Sequence, residues 1–154
     1  MSVVRVRRAF LDAGEVAALA VAARPIDVGV GSMAQRDLAP ALSAKVVAWL
    51  GARQLWGSYL TVYPAGGGGR APHRDPAPPG SVLSHWRLIV LVQAPGRGGE
   101  LVLGGETLEW AVGDAVEIRA DLVEHEVRAV TDAPSRVVFT VGALGEQAQS
   151  GRTD

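Results

Sequence analysis

"SYLTVYPAGGGGRAPHRDP", residues 58–76, decides how the rest of the chain is read. Its first six residues alternate. Tyr59, Thr61 and Tyr63 fall on one face and Leu60 and Val62 on the other, the two-residue period of a strand. Four consecutive glycines, Gly66 to Gly69, then break the pattern ahead of a His-Arg-Asp triplet. On extended backbone, residues i and i+2 point the same way. His73 and Asp75 therefore present an imidazole and a carboxylate to one point while Arg74 faces away. One His and one Asp make a weak metal site, so a third ligand has to come from elsewhere.

The chain holds three histidines and no cysteine, which leaves His85 and His125 as candidates and excludes thiolate ligands. His85 opens the apolar run "HWRLIVLVQ". His125 lies in "VEHEV", on a later strand that could pair across a barrel. Two His and one carboxylate form the facial triad of non-haem Fe(II) oxygenases, which leaves the opposite face of the octahedron open. Arg136, in "SRVVFTVG", follows His125 by eleven positions. A strand-borne arginine aimed into a barrel is costly unless it meets an anion, and its fork suits a carboxylate. If His125 and Arg136 lie on neighbouring antiparallel strands, the guanidinium stands one small dicarboxylate's length from the metal. A 2-oxo acid chelating iron at one end and held by Arg136 at the other meets that geometry, with Tyr63 adding a phenolic hydrogen bond. The competing partners for Arg136 are Glu124 and Glu126, which alternation turns away from His125.

The flanking sequence predicts a mainly β fold buttressed by two helices. Asp12 and Glu15 have capping-box form; Val16, Leu19, Ala20 and Ala23 recur at helical spacing, and Pro25 stops the pattern, giving a helix over 12–24. A second helix over 40–56 starts at Pro40, buries Leu42, Val46, Trp49 and Leu50, and stops at Gly57. The run 85–93 reads as a strand covered on both faces. "GGELVLGGETLEW" reads as two short strands about a Gly-Gly turn, and "DAVEI", "EHEVRAV" and "RVVFTVGA" as three more. Gly66 permits the turn after Tyr63, and Gly67 to Gly69 read as plain loop. Trp49, Trp56 and Trp110 read as packing. His85, Trp86, Arg87 and Arg97 are candidates for a substrate mouth. The segment 1–145 is expected to be one domain and 146–154 a flexible tail.

Fifteen basic and 16 acidic residues leave a net charge of −1, which offers no footprint for nucleic acid or an anionic membrane. Arg5, Arg7 and Arg8 read as a solvated edge. No apolar run is long enough to span a membrane and no signal peptide is visible, so a cytoplasmic location is expected. The absence of cysteine fits a reducing compartment.

"YPAGGGGRAPHRDP", "GGELVL", "GDAVEI", "HEV" and "SRVVFTV" follow one another in the order seen in 2-oxoglutarate/Fe(II)-dependent dioxygenases. Over about residues 58–143 the chain most resembles the prolyl-hydroxylase-like branch. The resemblance implies a double-stranded β-helix, or jelly roll, with flanking N-terminal helices. It implies His73, Asp75 and His125 as iron ligands, Arg136 as the partner of the distal carboxylate of 2-oxoglutarate, and Tyr63 as a second cosubstrate contact. It further implies Fe(II), 2-oxoglutarate and O2 as cofactor and cosubstrates, with succinate and CO2 released. The expected primary substrate is an amino acid, a peptide, another small molecule or a carrier-bound group. Asp75 is the carboxylate that halogenating relatives have lost, which points to hydroxylation. Arg70 stands where many relatives carry a tyrosine, and Leu91 near a position where some carry another. The rival from another class is a cupin-like metal-binding module without oxygenase activity, an isomerase or a sensor, which has no use for Arg136. A catalytically silent binding domain has no need of the triad and Arg136 together.

Overall fold

The computed structural model describes residues 4–26, 33–35 and 40–146. The chain begins with a strand, β1 (Val4–Arg7), followed by a helix, α1 (Ala13–Ala23), which runs into a 3-10 turn at Arg24–Ile26. Asp12 caps α1: its side chain accepts from the Glu15 N–H, and the Glu15 side chain accepts from the Asp12 N–H, as the sequence predicts. A short strand, β2 (Met33–Gln35), precedes the second helix, α2 (Pro40–Leu50). The long strands β3 (Gln54–Tyr63) and β5 (Ser84–Gln93) flank the short β4 (Arg70–His73). Then come β6 (Arg97–Gly98), β7 (Leu101–Leu103), β8 (Glu106–Thr107), β9 (Ala115–Arg119), β10 (His125–Val127), β11 (Val130–Asp132) and β12 (Arg136–Gly145).

These strands form two facing antiparallel sheets. One has six strands in the order β1-β9-β5-β12-β3-β2, the other four in the order β4-β10-β7-β8, and β11 and β6 make a small ribbon. The crossed strand order is that of a jelly roll, and the two helices pack outside the larger sheet. Strand β5 shows why its stretch from Leu88 to Val92 is apolar throughout. Leu88, Val90 and Val92 enter the core shared with the helices, whereas Ile89 and Leu91 enter the core between the sheets. One strand with a two-residue period thus feeds two cores, and from Leu88 to Val92 both of its faces are buried.

Four local readings change. The N-terminal "VRVR" is an edge strand paired to β9, with Arg7 bonded to Glu117 at 3.1 Å and Arg8 to Asp114 at 2.7 Å. Those arginines are anchors for the strand rather than a free basic edge. The second helix ends at Leu50, short of residue 56, because Gly51 takes a positive φ of 56° and the chain is extended from Gln54. Gly57 instead sits within β3 at φ 91°, where the β3–β12 register shifts, and it makes a bulge. "EHEVRAV" divides into β10 and β11. Gly69 is more than plain loop, because a Cβ there would run into the Val127 carbonyl oxygen. Gly66, at φ 77°, does make the turn after Tyr63. The tail 147–154 lies outside the described residues.

Strand β12 pairs with β3 on one side and β5 on the other, and all ten of its residues are buried. Phe139 sits at its centre with no exposed surface, among Leu60, Val90 and Val141. Phe139→Ala should therefore cost about 3–5 kcal/mol in urea or guanidinium unfolding, the range for a large side chain removed from a packed core.

Candidate metal centre and cosubstrate pocket

His73 closes β4 and His125 opens β10, and the two residues face each other directly in the antiparallel register. Their rings lie 4.3 Å apart, centroid to centroid. Each ring is fixed in the same way, by Nδ1 bonded to the backbone carbonyl two residues earlier: Ala71 O at 2.7 Å and Val123 O at 2.9 Å. A carbonyl only accepts, so each Nδ1 carries the proton and each Nε2 is turned toward the shared point. That is the tautomer a metal-ligating imidazole requires.

Asp75 completes the group. Among the described residues, His73, Asp75 and His125 form the cluster that could hold a metal, with ligand atoms all within 4.8 Å of one another. Asp75 Oδ2 lies 3.0 Å from His125 Nε2, and Oδ1 lies 3.8 Å from His73 Nε2. The Asp75 backbone is clamped on both sides: its N–H donates to Ala120 O at 2.8 Å, and its carbonyl accepts from His85 Nδ1 at 2.9 Å. Arg87 Nη1 meets Oδ2 at 2.8 Å. Burial pushes the Asp75 carboxyl up, but His125 and the Arg87 charge outweigh it and bring the pKa down to about 2. Burial also lowers the His73 pKa and favours its neutral, ligating form. Two imidazole nitrogens and one ionised carboxylate meeting at a point are the donor set for a divalent metal such as Fe(II).

Arg136 does not sit beside His125 on a neighbouring strand. Its strand, β12, belongs to the six-stranded sheet and β10 to the four-stranded one, so guanidinium and triad face each other across the gap between sheets. Facing sheets stand about 10 Å apart, against about 4.8 Å for neighbouring strands, which leaves room for a ligand between. A cavity of about 410 Å³ fills that gap, lined by His73, His125, Arg136, Tyr63, Thr140 and Arg87 among others. Its size is within the range of small-molecule sites.

Arg136 is 1 % exposed, and neither Nη1 nor Nη2 has a partner among the described residues. Glu124 and Glu126 do not reach it. Tyr63, its partner in the β3–β12 register, puts its ring 5.1 Å from the guanidinium carbon, and the Trp110 ring lies at 5.9 Å on another side. Burial lowers the Arg136 pKa to about 10, with Tyr63 opposing the shift, so the group is a cation at neutral pH. A buried, unpaired guanidinium facing a cavity is a socket for an anion.

Solved structures with the same architecture share this arrangement of sheets. A viral collagen prolyl hydroxylase from Paramecium Bursaria Chlorella virus-1, in complex with 2-oxoglutarate, superposes with a TM-score of 0.76 at 12 % identity, over 94 % of this chain and 97 % of that one. The fold is that of the prolyl-hydroxylase-like 2-oxoglutarate/Fe(II) oxygenases. A prolyl hydroxylase from Trichoplax adhaerens, in complex with a hypoxia-inducible-factor peptide, matches this oxygenase fold at TM-score 0.71 and 17 % identity, over 97 % of this chain and 87 % of that one. The non-haem alpha-ketoglutarate-dependent carbocyclase SnoK of nogalamycin biosynthesis matches it at TM-score 0.74 and 13 % identity, over 97 % and 84 %. No family model and no curated protein matches the chain by sequence.

Within this oxygenase fold the other candidates sort by strand parity. Arg87 lines the main cavity, and His85 lines a smaller one beside it. Trp86 points to the opposite face, with Arg53 and Arg119 over its ring, and Arg97 pairs with Asp132 at the surface. Trp56 is not packed away: it is 39 % exposed and sets its ring edge against His85 at 4.7 Å. Thr140 and Tyr59 line the main cavity and were missed. The signal was present, since Arg136 and Thr140 have the same parity on β12, as do Tyr59 and Tyr63 on β3.

Two outcomes test this electrostatic account in metal-free protein. Arg136→Met removes a buried charge that has no counterion, so it should raise unfolding stability by about 1–3 kcal/mol rather than lower it. Asp75 has a depressed pKa, so its contribution is present above pH ~4 and lost as pH falls toward 2. Asp75→Asn should flatten that acid limb in denaturation measured between pH 6 and pH 2.

Proposed function

We propose that the protein is an Fe(II)- and 2-oxoglutarate-dependent oxygenase that hydroxylates a small-molecule, amino-acid, peptide or carrier-bound substrate. In this reading residues 1–145 work as one domain. His73, Asp75 and His125 hold the iron, Arg136 binds the distal carboxylate of 2-oxoglutarate, and Tyr63 contacts the same molecule. The observation that carries the proposal is the pairing of two features: a His-Asp-His group with both Nε2 atoms turned inward, and a buried guanidinium with two free nitrogens across one cavity.

Bound there, iron with 2-oxoglutarate and O2 would supply oxidative decarboxylation to succinate and CO2 and an oxidant for an unreactive C–H bond. The protein's own part is positional. The Ala71 and Val123 carbonyls fix the imidazole tautomers, and Ala120 and His85 fix the Asp75 backbone. Arg136 orients the cosubstrate along the gap, and Leu101, Ile89 and Val138 keep the cavity wall apolar. Asp75 supports hydroxylation over halogen transfer, since the carboxylate is present. A cupin-like isomerase or sensor would share the triad, but it gives no reason to bury Arg136.

No helix among the described residues is long and apolar enough to cross a membrane. A cytoplasmic location is our proposal, from the cysteine-free sequence. The near-neutral net charge gives no support to a nucleic-acid partner.

Titrating anaerobic protein with Fe(II) and then 2-oxoglutarate should produce a weak visible charge-transfer band. His125→Ala should abolish it, and Arg136→Ala should raise the 2-oxoglutarate concentration needed by about 100-fold or more, as expected when a charge-assisted bond is lost. Tight metal binding with no band at any 2-oxoglutarate concentration would move the assignment to the cupin-like module.

A further inference from the structure

The main cavity is more positive than an oxygenase alone requires. Arg70, Arg87 and Arg136 all line it, and no carboxylate of the described residues does; Asp75 opens onto the smaller neighbour instead. Each cation can be matched with a partner in turn. Arg136 answers to the distal carboxylate of 2-oxoglutarate, and Arg87 answers to Asp75 at 2.8 Å. Arg70 has no carboxylate among the described residues. Its Nε donates to His73 Nε2 at 3.1 Å, the very atom turned toward the metal point. Arg70 is exposed at the cavity mouth, so once that lone pair serves a metal its guanidinium turns either to water or to an anion in the cavity.

Arg70 and Arg87 also feel each other. Both guanidinium groups line the same cavity. Two like charges facing one cavity repel, and an anion placed between them turns that repulsion into attraction. Arg87 has a second position of interest. It and Tyr59 line both the main cavity and the smaller one, of about 160 Å³, whose other walls include Trp56, Pro76, His85 and Asp75. The two cavities therefore meet at Arg87, beside the triad. The smaller one offers an indole and a proline ring to an apolar group, and it lies below the ~300 Å³ at which sites for drug-sized ligands begin.

Resting on the oxygenase reading, we infer that the primary substrate is a small carboxylic acid. Its carboxylate is held by Arg70 and Arg87, and its compact apolar body lies against Trp56 and Pro76. The backbone of an internal peptide segment brings amides but no anion, so it gives Arg70 nothing stronger than water does.

The test uses the protein loaded anaerobically with Fe(II) and 2-oxoglutarate. The probes are the N-acetyl derivatives of proline, valine, leucine and phenylalanine, the carboxamide of each, and end-capped tripeptides with the same central residues. Binding is read by calorimetry and by the shift of the visible band. At least one acid should bind about tenfold or more tighter than its amide, and Arg70→Gln should bring that ratio to within about twofold. Circular dichroism and the melting temperature check that the variant is folded. Acid and amide within twofold across the whole set, failure of every acid to bind, or a ratio that survives Arg70→Gln would overturn the inference. So would capped tripeptides binding tighter than the acids. A weaker 2-oxoglutarate titration in Arg70→Gln, with the acid-to-amide ratio intact, would reassign Arg70 to the cosubstrate and overturn it as well. Absence of the visible band before any acid is added would overturn the oxygenase reading, and this inference with it.

Discussion

A full positive charge held inside a β-sandwich is the constraint around which this structure is organised. Arg136 is fully enclosed, on a ten-residue strand paired on both sides, and two of its nitrogens have no partner among the described residues. Desolvating a guanidinium without a counterion opposes folding by several kcal/mol. The surrounding strand has to over-determine the position. Strand β12 does so with ten consecutive buried residues, and the Tyr63 and Trp110 rings border the charged group. The geometry that would bind an anion is therefore rigid before any anion arrives, which reduces the ordering lost on binding.

The other half of the site is built on different mechanics. Strands β4 and β10 are four and three residues long, and their register slips between His125 and Val127. Such short strands cannot fix side chains by sheet pairing alone. The rings are set instead by the bond from Nδ1 to the carbonyl two residues back, the same device at His73 and His125. Gly69 belongs to this arrangement. Only a residue without Cβ allows the loop after Tyr63 to press against the Val127 carbonyl and bring β4 beside β10. The glycine run thus carries the chain from Tyr63 on one sheet to His73 on the other.

This division explains what was legible in the sequence. Parity on an extended chain separated Tyr59, Thr61 and Tyr63 from Leu60 and Val62, because the rule is local; that the first face borders a cavity depends on the second sheet. The capping box of Asp12 and Glu15 was legible for the same reason. The joining of strands into sheets was not. The eleven positions between His125 and Arg136 look like one hairpin, yet β11 pairs with β6 and the chain passes to the other sheet. The N-terminal "VRVR" looked like a charged edge because its partners, Glu117 and Asp114, lie more than 100 residues away. Gly57 looked like a helix stop because positive φ serves a bulge as readily as a C-cap, and only the partner strand distinguishes them.

Asp75 shows how tightly these parts are coupled. Its carboxylate is shared by His125 and Arg87, its backbone by Ala120 and His85, and its side chain borders the smaller cavity while the two histidines border the larger. A triad opening on two spaces can receive two molecules from different directions. The one facing Arg136 has about 410 Å³. The other, ending at Trp56, reaches the same point past Arg87. The oxygenase activity we propose would need its cosubstrate fixed and its substrate exchangeable. The positions of the two arginines match that need, with Arg136 buried in the central strand and Arg87 at the open junction.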